Sequence, residues 1–170
     1  DMSKQMPVEG MVSQALADWG RIDALVYCAG VRPGAALFAL DEWDWRHTLA
    51  VNLSGPFFSM QIAGRAMQRQ GGGAMVFFAA DSARPPAAAG NVAFAASKMG
   101  LIGLAQQAAR ELAADHIRVN VICPTVEAFA SAETTISGPQ TEADLEPLVR
   151  EVLRLCAPSA AGISGQVIYR

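Results

Sequence analysis

Apolar side chains at Val8, Met11, Val12, Ala15, Leu16 and Trp19 return at helical spacing, and that spacing predicts an amphipathic helix. Ser3 and Pro7 suit its start and Gly20 its end. Residues 24–29, Ala-Leu-Val-Tyr-Cys-Ala, form a short apolar run closed by Gly30, the pattern of a strand buried on both faces. Pro33 and Gly34 open a loop. From Asp41, an N-cap by residue type, helical periodicity runs through Trp45, Leu49, Leu53, Phe57, Ile62 and Met67, and Pro56 predicts a kink or join.

The triplet Gly71-Gly72-Gly73 breaks this pattern, and residues 74–79 read as the next strand. Residues 80–91, with Pro85, Pro86 and Gly90, are predicted loop; residues 92–114 are an alanine-rich helix; residues 118–123 are a third strand stopped by Pro124. An irregular stretch to about Thr141 precedes a helix near 143–156, and residues 166–169 make a last strand. Strands alternating with helices of ten or more residues predict a doubly wound α/β fold, because each parallel crossover lays a helix across the sheet. With no internal repeat, low-complexity tract or linker, residues 1–170 read as one domain.

Composition narrows the function classes. A 170-residue chain that is 52% hydrophobic carries enough apolar material for one core. Its net charge of −3 comes without any long charged run, which argues against a nucleic-acid or polybasic membrane surface. Every apolar stretch is interrupted before the ~20 residues that a spanning helix needs. With no signal peptide visible, a cytoplasmic location is expected. Cys28, Cys123 and Cys156 are too irregularly spaced for a disulfide frame or zinc site and read as buried small hydrophobes. His47 and His116 lie in no ligand pattern and read as surface or helix-end residues. Nor is there a phosphate-binding glycine loop at a strand-to-helix turn, since Gly71–Gly73 leads into a strand.

The window Asn91-Val92-Ala93-Phe94-Ala95-Ala96-Ser97-Lys98-Met99-Gly100 resembles the active-site helix of the short-chain dehydrogenase/reductase family, Tyr-x-x-x-Lys followed by glycine, with phenylalanine in place of the tyrosine. Further motifs in the same order carry the resemblance over almost the whole chain. Asp1-Met2-Ser3 resembles Asp-Val-Ser/Thr; Leu25-Val26-Tyr27-Cys28-Ala29-Gly30 resembles Leu-Val-Asn-Asn-Ala-Gly; Val51-Asn52-Leu53 matches Val-Asn-Leu; Pro124-Thr125 stands for Pro-Gly; Ser164-Gly165-Gln166-Val167-Ile168 resembles Thr-Gly-Gln-aliphatic. The resemblance implies a Rossmann-like sheet of strand order 3-2-1-4-5-6-7 whose first three strands and glycine loop are absent here. The strand at 24–29 would then be an apolar edge. The chain is therefore expected to be a fragment, or the ordered part, of a longer polypeptide, and an intact mass near 17.9 kDa would rule that out.

The resemblance further implies NAD or NADP as cofactor, held by positions matching Asp1 near the adenine, Cys28, Ala29, Gly30, Lys98, Pro124 and Thr125. Absence of the glycine loop weakens that binding, and Cys28, Thr125 and Phe129 replace the family's asparagine, glycine and phosphate-reaching threonine. The catalytic quartet maps onto Asn52, Asp81, Phe94 and Lys98, with Asp81 where a serine would orient the substrate and Phe94 where a tyrosine would deliver the proton. Phenylalanine has no ionisable proton, and general acid catalysis is typically worth ~10² to 10⁴ in rate. The polar survivors also have ordinary readings. Lys98 can be a solvated helix lysine, Asn52 can satisfy helix backbone at the kink before Pro56, and Asp81 can cap its loop or pair with Lys98 or Arg84.

Small residues at Ala95, Ala96, Gly100 and Gly103, with Met99, permit close helix approach. By resemblance, helices 42–69 and 92–114 and the last strand would form subunit contacts. The leading expectation is a catalytically silent subunit that pairs with an active relative as a homo- or hetero-oligomer, acting on hydroxyacyl or ketoacyl thioesters. A second reading is an active alcohol/carbonyl oxidoreductase using Asp81 as its acid, and a third is a ligand-binding module without chemistry.

Overall fold

The computed structural model describes residues 1–80, 90, 92–124 and 142–170. Helix α1, Gln5–Trp19, begins before Pro7 rather than at it, with Lys4 as an N-cap that makes no side-chain bond, because Ser3 instead donates to Asp1. Gly20 ends it in the left-handed region at φ 76°, where a residue without Cβ is unstrained. Val8 and Val12 are its buried positions.

Strand β1 is Ala24–Tyr27. Helix α2, Glu42–Leu49, opens on Asp41, whose carboxylate accepts from Asp44 N at 2.7 Å. The predicted join at Pro56 is a short π-helical stretch, Ala50–Ser54, leading into α3, Gly55–Gln70. Proline has no N–H to give the preceding turn and its ring crowds the carbonyl four residues back, so the helix widens there. Gly71 (φ 88°) and Gly72 (φ 142°) turn the chain into β2, Gly73–Phe78, and a Cβ on Gly72 would press on His116 O at 2.9 Å. This is an αβ turn, as its place in the sequence predicts.

Helix α4 spans Val92–Glu111, β3 Ile117–Cys123, α5 Glu142–Cys156 and β4 Val167–Tyr169. The four strands lie in the order β1-β2-β3-β4, all parallel, with Tyr27 beside Phe77, Phe77 beside Val121 and Val121 beside Val167. Alternate residues of the central strands serve two cores. Met75, Phe77, Val119, Val121 and Cys123 pack with Met60 and Met67 of α3 and Leu101 and Ala105 of α4. Val76 and Ile122 face the other way, onto Leu148 and Leu155 of α5. Helices on both faces of a parallel sheet make the fold doubly wound α/β, as periodicity predicts.

Two expectations need correction. The first strand stops at Tyr27 rather than running to residue 29, and it is not buried on both faces. With β2 as its single neighbour among the described strands, Val26 stays 41% exposed while Tyr27 is buried. The cysteines also differ. Cys123 is buried as expected, but Cys28, beyond the end of β1, is exposed and Cys156 is half-buried. The histidines are where expected, His47 in the last turn of α2 stacked on Trp43 at 4.7 Å and His116 exposed after a short 3-10 turn.

Candidate active site

The carboxyl end of the sheet gathers Asn52, Ser97 and Lys98, all buried, around the chain that leaves β1. Asn52 projects from the π-helical stretch and clamps that chain from both sides: Oδ1 accepts from Val31 N at 2.8 Å, and Nδ2 donates to Val31 O at 2.9 Å and to Ser97 Oγ at 3.0 Å. Its partner is thus the loop after β1, not the helix backbone at the Pro56 join. Ser97 passes its own proton to Phe94 O at 2.8 Å, one turn back in α4.

Lys98 is not a solvated helix lysine. It is 6% exposed, and Nζ donates to Phe78 O, at the end of β2, at 2.7 Å. Burial pulls its pKa down to about 8, against the weaker pull of the Cys123 and Cys28 sulfurs in the other direction. Nζ also lies 5.8 Å from the centre of the Phe94 ring, whose other close cation is Arg32 with Cζ at 5.3 Å. Phe94 is buried in this setting, as a core aromatic should be. The four-residue spacing of Phe94 and Lys98 places both on one face of α4.

Gly30 borders the same group. A Cβ built there would stand 3.5 Å from both Lys98 Nζ and Asn52 Oδ1, at ordinary contact distance. Ala29 and Gly30 are half-buried, Ala29 packing against the larger core. The exposed Cys28 has a thiol pKa pushed up by burial of its inner side, with Lys98 opposing the shift. Pro124, at the end of β3, is buried. Asp1 is exposed, its carboxylate taken up by Ser3 N and Oγ at 2.9 and 2.6 Å and by Lys4 at 3.6 Å. Asp81, Thr125 and Phe129 lie outside the described residues.

The structure thus brings together Asn52, Phe94, Lys98 and Gly30. It adds two residues that sequence reasoning passed over. Ser97 was legible as the Phe94 neighbour one turn on, facing the same side. Tyr27, which stands at the first asparagine of the family motif, donates from its hydroxyl to Val51 O at 2.8 Å, and burial lifts its pKa to about 12. It ties β1 to the π-helical stretch that carries Asn52. Gly55 is required nearby because a Cβ there would collide with the Tyr27 hydroxyl and Met2 O.

The described residues do not fit a dinucleotide on their own. Their glycine run caps α3 and enters a strand, so it turns no helix N-terminus toward a pyrophosphate. The Lys98 ammonium is already bonded to Phe78 O. Among the described residues there is also no group of side chains that could hold a metal ion, and no helix long and apolar enough to cross a membrane.

The family profile described as short chain dehydrogenase matches residues 1–137. The chain is 38% identical over 143 residues to D-threitol dehydrogenase of Mycolicibacterium smegmatis, covering 84% of this chain and 55% of that protein. It is 36% identical over 124 residues to the (2S)-[(R)-hydroxy(phenyl)methyl]succinyl-CoA dehydrogenase subunit BbsD of Thauera aromatica, covering 73% and 49%. The crystal structure of a short chain dehydrogenase from Mycobacterium smegmatis superposes with a TM-score of 0.84 at 23% identity, over 99% of this chain and 66% of that one, a likeness of fold. The chain spans about half the length of the curated relatives it matches. On these grounds the chain belongs to the short-chain dehydrogenase/reductase family of oxidoreductases.

Proposed function

We propose that residues 1–170 are one incomplete Rossmann-like domain that is catalytically silent and supports an active homologous subunit. The observation that carries this reading is Phe94. It occupies the place of the proton-donating tyrosine beside Lys98, and a ring without a hydroxyl has nothing to deliver to a developing alkoxide. The amine that would sharpen the acidity of a phenol is bonded to a backbone carbonyl instead. The site keeps its packing and lacks its acid.

Helices α2, α3 and α4 expose Trp43, Trp45, Phe57 and Met99, an apolar set suited to a subunit contact. Within the small-residue stripe of α4, Gly100 is occupied by this chain's own Leu53, which a Cβ would meet at 3.1 Å, whereas nothing lies within 4 Å of a Cβ on Gly103. Gly103 is therefore the position open to a partner helix. Acyl thioesters are the proposed substrate class of the assembly. The printed names of two relatives support it, the Thauera succinyl-CoA dehydrogenase subunit and the rat (3R)-3-hydroxyacyl-CoA dehydrogenase, 34% identical over 125 residues.

The test is to assay the purified chain alone and mixed with a homologue carrying the full Tyr-x-x-x-Lys set, with NAD or NADP and hydroxyacyl thioesters, while native mass reports assembly. The chain alone should turn over nothing, and the mixture should form a mixed oligomer. Ordinary alcohol oxidation by the isolated chain would overturn the proposal.

A further inference from the structure

The π-helical stretch and Pro56 together leave one carbonyl without a helical donor. In an α-turn Val51 O would accept from Gly55 N, four residues on, but Gly55 N donates to Ala50 O. In a π-turn it would accept from the residue five on, which is Pro56 and has no N–H. A backbone carbonyl turned from water needs a donor from elsewhere. The Tyr27 hydroxyl supplies it, at 2.8 Å.

Two features of the sequence let the hydroxyl reach that point. Tyr27 ends β1, where its ring is buried and stacked on Phe77 with centres 6.0 Å apart, so the side chain has a fixed direction. Residue 55 is glycine, and a Cβ there would collide with the hydroxyl. Tyr27, Gly55 and Pro56 are therefore one unit, although they stand on different elements: the proline takes away a donor, the tyrosine replaces it and the glycine makes room.

Val51 O lies in the planar peptide group that ends at the Asn52 Cα, so holding that oxygen holds the point from which the Asn52 side chain leaves. Asn52 in turn holds Val31 by bonds of 2.8 and 2.9 Å. The loop fixed in this way sets Gly30 beside Lys98 and Arg32 over the Phe94 ring. We propose that Tyr27 is a positioning residue of the site: its hydroxyl replaces the helical donor that Pro56 lacks, sets Asn52, and through Asn52 sets the loop after β1. The assignment does not depend on whether the site turns over a substrate.

The test follows amide hydrogen exchange of the whole chain by NMR at two positions, Val31 N, bonded to Asn52, and Gln166 N, bonded to Asn120 on the other side of the sheet. Tyr27→Phe removes the hydroxyl and keeps the ring. It should speed exchange at Val31 at least ~10-fold, the scale of one unsatisfied buried group, and leave Gln166 unchanged. Pro56→Ala returns an N–H to the turn and so gives Val51 O a donor of its own. In that background Tyr27→Phe should speed Val31 by no more than ~3-fold, the signature of two groups that serve one oxygen. A role confined to general stability would move both amides together and would gain nothing from an N–H at residue 56. Should Pro56→Ala fail to fold, the comparison of Val31 with Gln166 in Tyr27→Phe decides alone. An unchanged Val31 rate, equal acceleration of both amides, or the same effect of Tyr27→Phe in both backgrounds would overturn the proposal.

Discussion

Two buried asparagines hold the two sides of the sheet by the same device. Asn52, fully buried, closes both an acceptor and a donor bond on Val31; Asn120, 1% exposed in β3, donates to Ile163 O at 2.9 Å and accepts from Gln166 N at 3.1 Å. Each side chain thus fixes a loop beside the sheet, the one after β1 at Val31 and the one before β4 at Ile163 and Gln166. What surrounds them differs. Around Asn120 the polar groups are spent on structure: Arg118 donates to the last carbonyls of α5, at Leu155 and Cys156, and to Ala157 O just beyond it, Ser164 Oγ accepts from Val119 N, and Arg154 and Arg170 hold the buried Glu151. Around Asn52 one group, Lys98, is left with a backbone carbonyl and no opposite charge among the described residues. Equal clamps thus stand in unequal surroundings, one side fully paired and the other holding a buried amine.

The largest effect tests the clamps themselves. Asn52→Ala and Asn120→Ala each remove the partner of a backbone N–H and C=O, half-buried at Val31 and Ile163 and exposed at Gln166, and an unsatisfied buried group costs about 1 to 3 kcal/mol, so the Asn52 change costs more. By urea unfolding Asn52→Ala is expected to lose about 2 to 3 kcal/mol and Asn120→Ala about 1 to 2 kcal/mol. A loss below about 1 kcal/mol at Asn52 alone would break the parallel, since the loop after β1 would then be held by other means.

The second test concerns Lys98 and pH. Its folded pKa, about 8, lies below the ordinary 10.5, so between these values the unfolded chain binds more protons and stability rises with pH. Integrated from pH 8 to pH 10, the gain is about 2 kcal/mol at 1.36 kcal/mol per unit. The raised Tyr27 pKa, from 10 to about 12, acts oppositely but only above pH 10. Cys28 and Cys156, whose pKa values are also raised, oppose the rise as well. The informative quantity is therefore the wild-type slope minus that of Lys98→Met, measured by urea unfolding at pH 8, 9 and 10. Parallel slopes would show that Lys98 titrates normally and that its surroundings resemble the spent groups near Asn120.

The fold was legible because its signals are local and redundant. Alternating apolar runs and long helical periods gave every described strand and helix, Gly20 and Gly71 ended helices in the left-handed region, and Pro56 marked the join. The end of β1 was misplaced because the Val-Tyr-Cys-Ala run is apolar throughout, and only its pairing with β2, which ends at Tyr27 beside Phe77, shows where the strand stops. The site was legible through motif order at Asn52, Phe94, Lys98 and Gly30. Its wiring was not, because Asn52 finds Val31 and Lys98 finds Phe78 across 21 and 20 residues, distances at which spacing carries no information. Asn120 escaped notice for a related reason: within an apolar strand it looks like an error of pattern, and its partners lie 43 and 46 residues away.

The smallest effect on stability comes from Phe94→Tyr, and it probes the contrast most finely. A hydroxyl added at the rim of this buried ring should change stability by about 1 kcal/mol, in the usual range of a conservative substitution. Its titration is the useful signal. When Lys98 holds its proton, about 5 Å away, an effective dielectric of about 20 gives roughly 3 kcal/mol of attraction for a phenolate, close to two units, while burial of the ring and the lowered pKa of the amine work against it. Phenol and amine therefore titrate as a coupled pair, and the phenol step moves down only as far as the phenolate keeps the ammonium protonated beside it. Ultraviolet titration of the variant minus that of the parent chain should therefore show an added phenol step below pH 10 that Lys98→Met removes. A step at or above pH 10, insensitive to Lys98→Met, would mean that position 94 and Lys98 share no field, and the side of the sheet held by Asn52 would then be as chemically spent as the side held by Asn120.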